Sequence, residues 1–383
     1  MYVWHSKKFK MDNFIPVNRP LLDGNEKKYL NECVDSGWIS SDGPFVKKFE
    51  EACAKKFRRK YAVAITNGTA AIDIAITALN IEKDDEVIVP SFTIISCINQ
   101  ILRVGAKPVF VDADPHTWNM NVSLIEEKIT QKTKAILVAH IYGLSVDLEP
   151  IIKIAKKNKL YLIEDAAEVH GLLYKDKPCG SFGDISTLSF YPNKHITTGE
   201  GGMVLTDNYD LFETFKKLRN IGFDEDPSKR FIHKELGWNM RMTNMQAALG
   251  LAQIEQLDKF INRKRQIGKL YTNLLSTINE ITLPLEKTDY CENIYWVFGI
   301  LINNPNINSV ELRKYLTENN IGSRPFFFPL NQQPVLSSFN IEKTQSPNSN
   351  LLYERGLYLP SGLGNTDEEI KFVAETVKHF FGY

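Results

Sequence analysis

A chain of 383 residues, 43% of them hydrophobic, can bury a core for one large domain and a smaller one. Lys plus Arg and Asp plus Glu both number 46, so the formal net charge is +0 and no global field favours nucleic acid or an anionic membrane. Five scattered cysteines (Cys33, Cys53, Cys97, Cys179, Cys291) lack disulfide-framework or metal-ligand spacing, and no apolar run of about 18 residues exists to span a membrane, so a cytoplasmic protein without a structural metal is expected.

Residues 1–13 carry basic charge but no apolar stretch of a secretory signal, and read as an extension without a chemical role. Tyr61–Ile65 reads as a strand, Asn67-Gly68-Thr69 as a turn, and Ala70–Leu79 as a helix with Ala71, Ile74, Ala75 and Ala78 on one face. Such a helix start offers free N–H groups and a positive dipole end to a phosphate, although many α/β turns share the pattern. Further apolar runs follow at Glu86–Val89, Pro108–Val111, Ala135–Ile141, Leu160–Ile163, Ile185–Phe190 and Met203–Thr206. Several are too uniformly apolar for a one-sided sheet, so the reading is α/β: a mostly parallel central sheet with helices on both faces.

Ligands of such sheets sit beyond the carboxyl ends of the strands. Asp165 ends one apolar run, and Lys194 lies between another and the Gly-rich turn Thr198-Gly-Glu-Gly-Gly202. A lysine so placed suits imine chemistry with an aldehyde cofactor, and a carboxylate at a strand end can hold a cofactor's ring nitrogen protonated. Alone, such a lysine is usually a solvated charge and such an aspartate a cap. Together with the Asn67-Gly68-Thr69 turn they describe one site.

Thr243–Asp258 and Lys259–Leu275 have helical spacing, and a domain boundary is expected close to residue 260, dividing 14–260 from 261–383. Beyond it Tyr295–Leu301 reads as a strand, Ser309–Glu318 as a helix, Thr344–Asn350 as a loop and Glu368–Phe380 as a closing helix, together a smaller α/β domain. Tyr295, Trp296 and Phe298 read as strand core rather than as substrate binders. Phe326-Phe327-Phe328 cannot all be buried by alternation, and at least one is expected to line a pocket. His195, on a turn beside Lys194, is given no catalytic role.

The ordered series Gly37-Trp-Ile-Ser-Ser41, Asn67-Gly-Thr-Ala-Ala71, Val89-Pro-Ser-Phe-Thr93, Glu164-Asp-Ala-Ala167, Ser189 to Gly202 and Leu236-Gly-Trp-Asn-Met-Arg241 resembles the DegT/DnrJ/StrS sugar aminotransferases, a branch of the fold-type I pyridoxal phosphate (PLP) transferases. Within that family, Glu164 to Gly171, Thr197 to Met203 and Arg324-Pro-Phe-Phe-Phe-Pro329 look most like the GDP-perosamine-forming subgroup, which aminates C4 of GDP-4-keto-6-deoxymannose with L-glutamate as donor. The resemblance implies that Lys194 bonds the PLP aldehyde and shuttles the proton, and that Asp165 pairs with the pyridine nitrogen. It also implies phosphate contacts from Gly68, Thr69 and Ser189, and a Glu168 bond to the phenolic oxygen. Asn239 is implied to reach the phosphate from a neighbouring subunit, hence a homodimer with shared sites. Trp38, Phe327 and Asn331 fall where the nucleotide-sugar substrate is implied to bind.

Two departures stand out. Ile94 occupies a slot that is often aromatic, so ring packing is expected to be aliphatic or supplied by His170. Asn331 stands where the subgroup frequently has His. The alternatives are amination of a UDP- or dTDP-linked ketosugar, a PLP-dependent sugar 3-dehydratase (which resembles this family with His in place of the lysine), or a catalytically silent regulatory homologue.

Overall fold

In the computed structural model, residues 13–224 and 226–383 are described, so all but the last residue of the expected N-terminal extension lies outside them. The apolar runs read from the sequence become β1 (Tyr61–Ile65), β2 (Glu86–Pro90), β3 (Lys107–Val111), β4 (Thr133–Ala139) and β5 (Tyr161–Asp165). A short hairpin follows, β6 (Leu173–Tyr174) with β7 (Lys177–Pro178), then β8 (Ile185–Ser189) and β9 (Gly202–Thr206). Apart from the hairpin they make one seven-stranded sheet in the order β1-β9-β8-β5-β4-β2-β3. Only β9 is reversed, pairing antiparallel with β1 and β8, while the β2–β3, β2–β4, β4–β5 and β5–β8 pairs are parallel.

Both faces of this sheet are covered, and the two-residue period of the strand sorts the side chains between them. Ile136 and Val138 of β4 join a core built with Phe45, Phe49 and Cys53 of helix Pro44–Lys56 and with Ile151 of helix Leu148–Asn158. Ala135, Leu137 and Ala139 face the opposite core, with Ile74 of helix Gly68–Ala78, Ile98 of helix Ser96–Arg103 and Phe215 of helix Tyr209–Arg219.

The second sheet joins β10 (Ile281–Thr282), β11 (Phe298–Ile302), β13 (Gly356–Leu359) and β12 (Arg324–Pro325), in that order and all antiparallel. Helices Leu257–Leu275, Ser309–Glu318 and Asp367–Phe381 supply its core, including Tyr271, Leu312 and Val373. Ile15 enters the same core and bridges Ile321, so this segment packs against the second unit.

Three local readings change. The strand expected from Tyr295 starts at Phe298, because Tyr295 is left-handed (φ 47°) and its N–H turns to Asn293 Oδ1. The loop at 344–350 yields to helix Pro347–Arg355, with Pro347 at the first helical position, where its missing N–H leaves no bond unmade. The helical stretch from Thr243 breaks at Glu255 and Gln256 before continuing as Leu257–Leu275. Among the described residues no helix is long and apolar enough to cross a membrane.

Candidate active site

The carboxyl ends of β4, β5 and β8, the start of helix Gly68–Ala78 and the turn after β8 enclose a cleft of about 640 Å³. Gly68, Thr69, Asp165, Glu168, Ser189, Lys194 and Phe327 all line it.

The phosphate end is built by close approach. Asn67 caps the helix, its Oδ1 accepting from Ala70 N–H at 2.8 Å, and the preceding N–H groups of Gly68 and Thr69 have no intrahelical acceptor. A Cβ on Gly68 would lie 2.6 Å from Ser189 Cβ, so only glycine lets the turn meet the end of β8 this tightly. Thr69 Oγ1 and Ser96 Oγ share a hydrogen bond of 2.7 Å. N–H groups and hydroxyls at a helix N-terminus make an anion cradle.

At the other end Asp165 closes β5. Its Oδ1 accepts from Ala167 N–H at 3.1 Å and from Thr187 Oγ1 at 3.3 Å, and Cys97 Sγ lies 3.7 Å from Oδ2. Burial pushes this carboxyl upward, and it is Ala167 N–H and the Lys194 charge that pull it back. A buried carboxyl that faces a cleft, with no cationic hydrogen-bond partner among the described residues, suits a protonated ring nitrogen.

Lys194 comes from a turn in which its N–H donates to Tyr191 C=O at 2.9 Å. Its Nζ stands 3.7 Å from Glu168 Oε1 and 3.8 Å from the centroid of the Trp296 ring. Glu168 Oε2 is itself tied to Tyr142 N–H at 2.9 Å. Burial drives the Lys194 amine down and the Glu168 carboxyl up to about 7. At 3.7 Å their attraction does not outweigh the loss of water, which leaves a lysine able to act as a neutral amine. Lysine, buried carboxyl and anion cradle lie in one cleft. These residues fit PLP.

The family's sequence profile, described as the DegT/DnrJ/EryC1/StrS aminotransferase family, matches residues 20–378. The chain belongs to that family. It is 43% identical over 369 residues to the GDP-perosamine synthase of Escherichia coli O157:H7, covering 96% of this chain and 99% of that one. Among solved structures, the Streptococcus pneumoniae protein Spr1654, described as a sugar aminotransferase and solved in its PMP-form, superposes with a TM-score of 0.89 at 25% identity, covering 96% of this chain and 98% of that chain. A GDP-4-keto-6-deoxymannose-3-dehydratase variant with bound GDP-perosamine gives 0.88 at 26% identity, covering 96% and 100%.

Family membership does not bring every expected residue to the cleft. Trp38 is about half exposed and lies outside the lining, its carbonyl accepting from Asn244 Nδ2. Asn239 is exposed and also outside it, with Oδ1 accepting from Arg241 Nε at 3.1 Å and Nη2 at 2.9 Å. Asn331 is also outside the lining: it is fully buried, with Nδ2 donating to Thr344 C=O. His170 likewise packs against Phe190, Phe57 and His195, while Ile94 lines the cleft as an aliphatic surface.

Trp296 and Tyr358 also line the cleft, and Tyr142 stands behind Glu168; the sequence reading singles out none of them for it. The expectation of strand core for Trp296 is half right. The residue is buried, but the left-handed turn at Tyr295 takes it out of the strand, and no pattern in the sequence announces that turn. Of the three phenylalanines, Phe326 is buried, Phe327 lines the cleft and Phe328 packs edge-on against Tyr353.

Proposed function

We propose that the protein is a PLP-dependent aminotransferase that moves the amino group of L-glutamate to C4 of GDP-4-keto-6-deoxymannose, giving GDP-perosamine. The observation that carries this reading is Lys194 and Asp165 in one buried cleft beneath a helix-start cradle, in a chain 43% identical to a GDP-perosamine synthase. PLP, when bound, supplies the electron sink that makes the carbon–hydrogen bond next to the imine nitrogen acidic. The chain's own residues do the rest. Gly68, Thr69 and Ser189 hold the phosphate, Asp165 keeps the ring nitrogen charged, and Glu168 takes the phenolic oxygen. Lys194 would hold the cofactor's aldehyde carbon, and its Nζ is the group placed to take and return a proton in the cleft. Burial lowers the basicity of that amine, which eases the loss of its proton.

Phe327 borders the sugar side, its N–H donating to Tyr142 Oη at 3.3 Å and its ring 5.3 Å from that of Tyr142. Asn239 completes the site of a partner subunit in a homodimer, and Trp38, tied through its carbonyl to Asn244, borders that shared site. The division into a PLP-binding part (14–260) and a small part (261–383) belongs to the same reading. So does a cytoplasmic setting, which five free, buried cysteines support.

The 3-dehydratase reading meets a lysine at position 194, which favours repeated amine exchange. Incubation with L-glutamate and a panel of GDP-, UDP- and dTDP-linked ketosugars tests the proposal. An aminated product from the GDP-linked 4-ketosugar alone is expected. Amination of a UDP- or dTDP-linked sugar in its place, or loss of the C3 hydroxyl without amination, overturns it.

A further inference from the structure

Trp296 lines the cleft and has no task in the proposed reaction. Its ring centroid lies 3.8 Å from Lys194 Nζ and the residue is only 4% exposed. It is held from both ends. Its indole Nε1 donates to the carbonyl of Asn193, the residue before Lys194, at 2.7 Å. Its own carbonyl accepts from Lys264 Nζ at 2.8 Å. Lys264 is a buried lysine that also donates to Ser361 C=O, so this amine serves to fix main chain around the tryptophan. A Cβ on Gly143 would lie 2.5 Å from Trp296 N, so the loop after β4 closes the remaining side.

An ammonium in such a cleft has little water to offset its charge. Glu168 is the nearest carboxylate, at 3.7 Å, beyond hydrogen-bond length. Asp165 and Cys97 act on the amine more weakly than Glu168, and His170 and His195, both buried and held neutral, supply no counter-charge. The face of an indole attracts a cation within about 6 Å of its centroid, more strongly where water is excluded. It does so without accepting a hydrogen bond as strong as a carboxylate's, so the amine stays free to leave.

We propose that Trp296 is a positioning residue for Lys194, its π face holding the protonated amine in place whenever that amine is not bonded to the cofactor. The proposal rests on Lys194 being the cofactor lysine.

Full-length protein loaded with pyridoxamine phosphate, in which Lys194 keeps a free amine, gives the test. The rate of reductive methylation at Lys194 by formaldehyde and cyanoborohydride is measured against pH by peptide mass. The five tryptophans are replaced biosynthetically by analogues carrying increasing numbers of ring fluorines, which weaken the π face with little change of shape. The Lys194 titration midpoint is expected to fall stepwise with fluorination, by about one pH unit over the series. In a W296F background the dependence on tryptophan fluorination should vanish. A midpoint that ignores fluorination, or a dependence that survives W296F, overturns the proposal. Borohydride reduction of the PLP-loaded protein with peptide mapping runs alongside. Label on another lysine refutes the cofactor assignment itself, whereas label on Lys194 with a flat fluorine series refutes only the role of Trp296.

Discussion

At the scale of single residues, desolvation governs the cleft. Asp165 and Glu168 are buried and Lys194 nearly so, and in each the loss of water is the largest influence on protonation. Groups so arranged cost stability and are retained for chemistry. Lys194→Ala is expected to abolish repeated turnover and the lysine-linked visible absorbance of the bound cofactor. Full steady-state transamination by that variant would remove Lys194 from the mechanism. Asp165→Asn keeps the shape and one acceptor but loses the charge that faces the ring nitrogen. A fall in kcat of about 10²-fold or more is expected, with cofactor still bound. An unchanged rate at full cofactor occupancy would make Asp165 a purely structural residue.

The elements explain why these residues meet. Glu164, one position before Asp165 on β5, points away from the cleft and takes hydrogen bonds from Gly180 N–H (2.6 Å), Phe182 N–H (2.9 Å), Ser186 Oγ (3.0 Å) and His140 Nε2 (3.1 Å). Val146 N–H donates to His140 Nδ1 at 3.2 Å, which holds the ring with Nε2 toward Glu164. The ligand atoms of His140, Glu164 and Cys179 come within 4.8 Å of one another, but hydrogen bonds account for the cluster, because donors already saturate the carboxylate. Burial alone pushes Glu164 up, but the hydrogen bond and charge of His140, with the Gly180 N–H and the Arg59 charge, win and hold it at about 2, against a usual 4.5. A folded-state value below the unfolded one gives stability that is present above pH 4.5 and lost as the pH falls toward 2. The contribution is roughly 3 kcal/mol. In urea titrations Glu164→Gln should therefore be destabilised at neutral pH, with the gap to the parent protein narrowing through that acidic window. A gap independent of pH would mean that the carboxylate's charge is not what holds the loop. The strands are legible in the sequence because uniformly apolar runs end in polar turns, and Lys194, Asp165 and Gly68 are legible because each stands at such an end. Trp296 and Tyr142 are not, since both owe their place to left-handed turns at Tyr295 (φ 47°) and Tyr142 (φ 56°) made by residues that rarely adopt them. The burial of Asn331 is hidden for a related reason: it sits in the short helix Leu330–Gln332, which a motif cannot reveal.

At the scale of the whole molecule, one chain leaves its own motif unused. Asn239 lies in the segment that most resembles a phosphate contact, yet it is exposed and absent from its own cleft. Arg241 binds its Oδ1 through two N–H groups, which fixes the amide and turns its Nδ2 donors away from that arginine. In the same stretch of chain, Phe231 (79% exposed) and Leu236 (91% exposed) present apolar surface of the kind that a second copy covers. A two-fold arrangement uses such a segment twice, once for each site. Mixing a Lys194→Ala chain with an Asn239→Ala chain tests the shared site, once each homodimer is shown to be impaired. In the mixed dimer the Asn239→Ala chain supplies the lysine of one site and the Lys194→Ala chain supplies its asparagine. That site is intact and the other lacks both, so purified heterodimers should recover about half of the parent activity. If Asn239 instead serves its own chain, every site of the heterodimer carries one lesion and activity stays at the level of the two impaired homodimers.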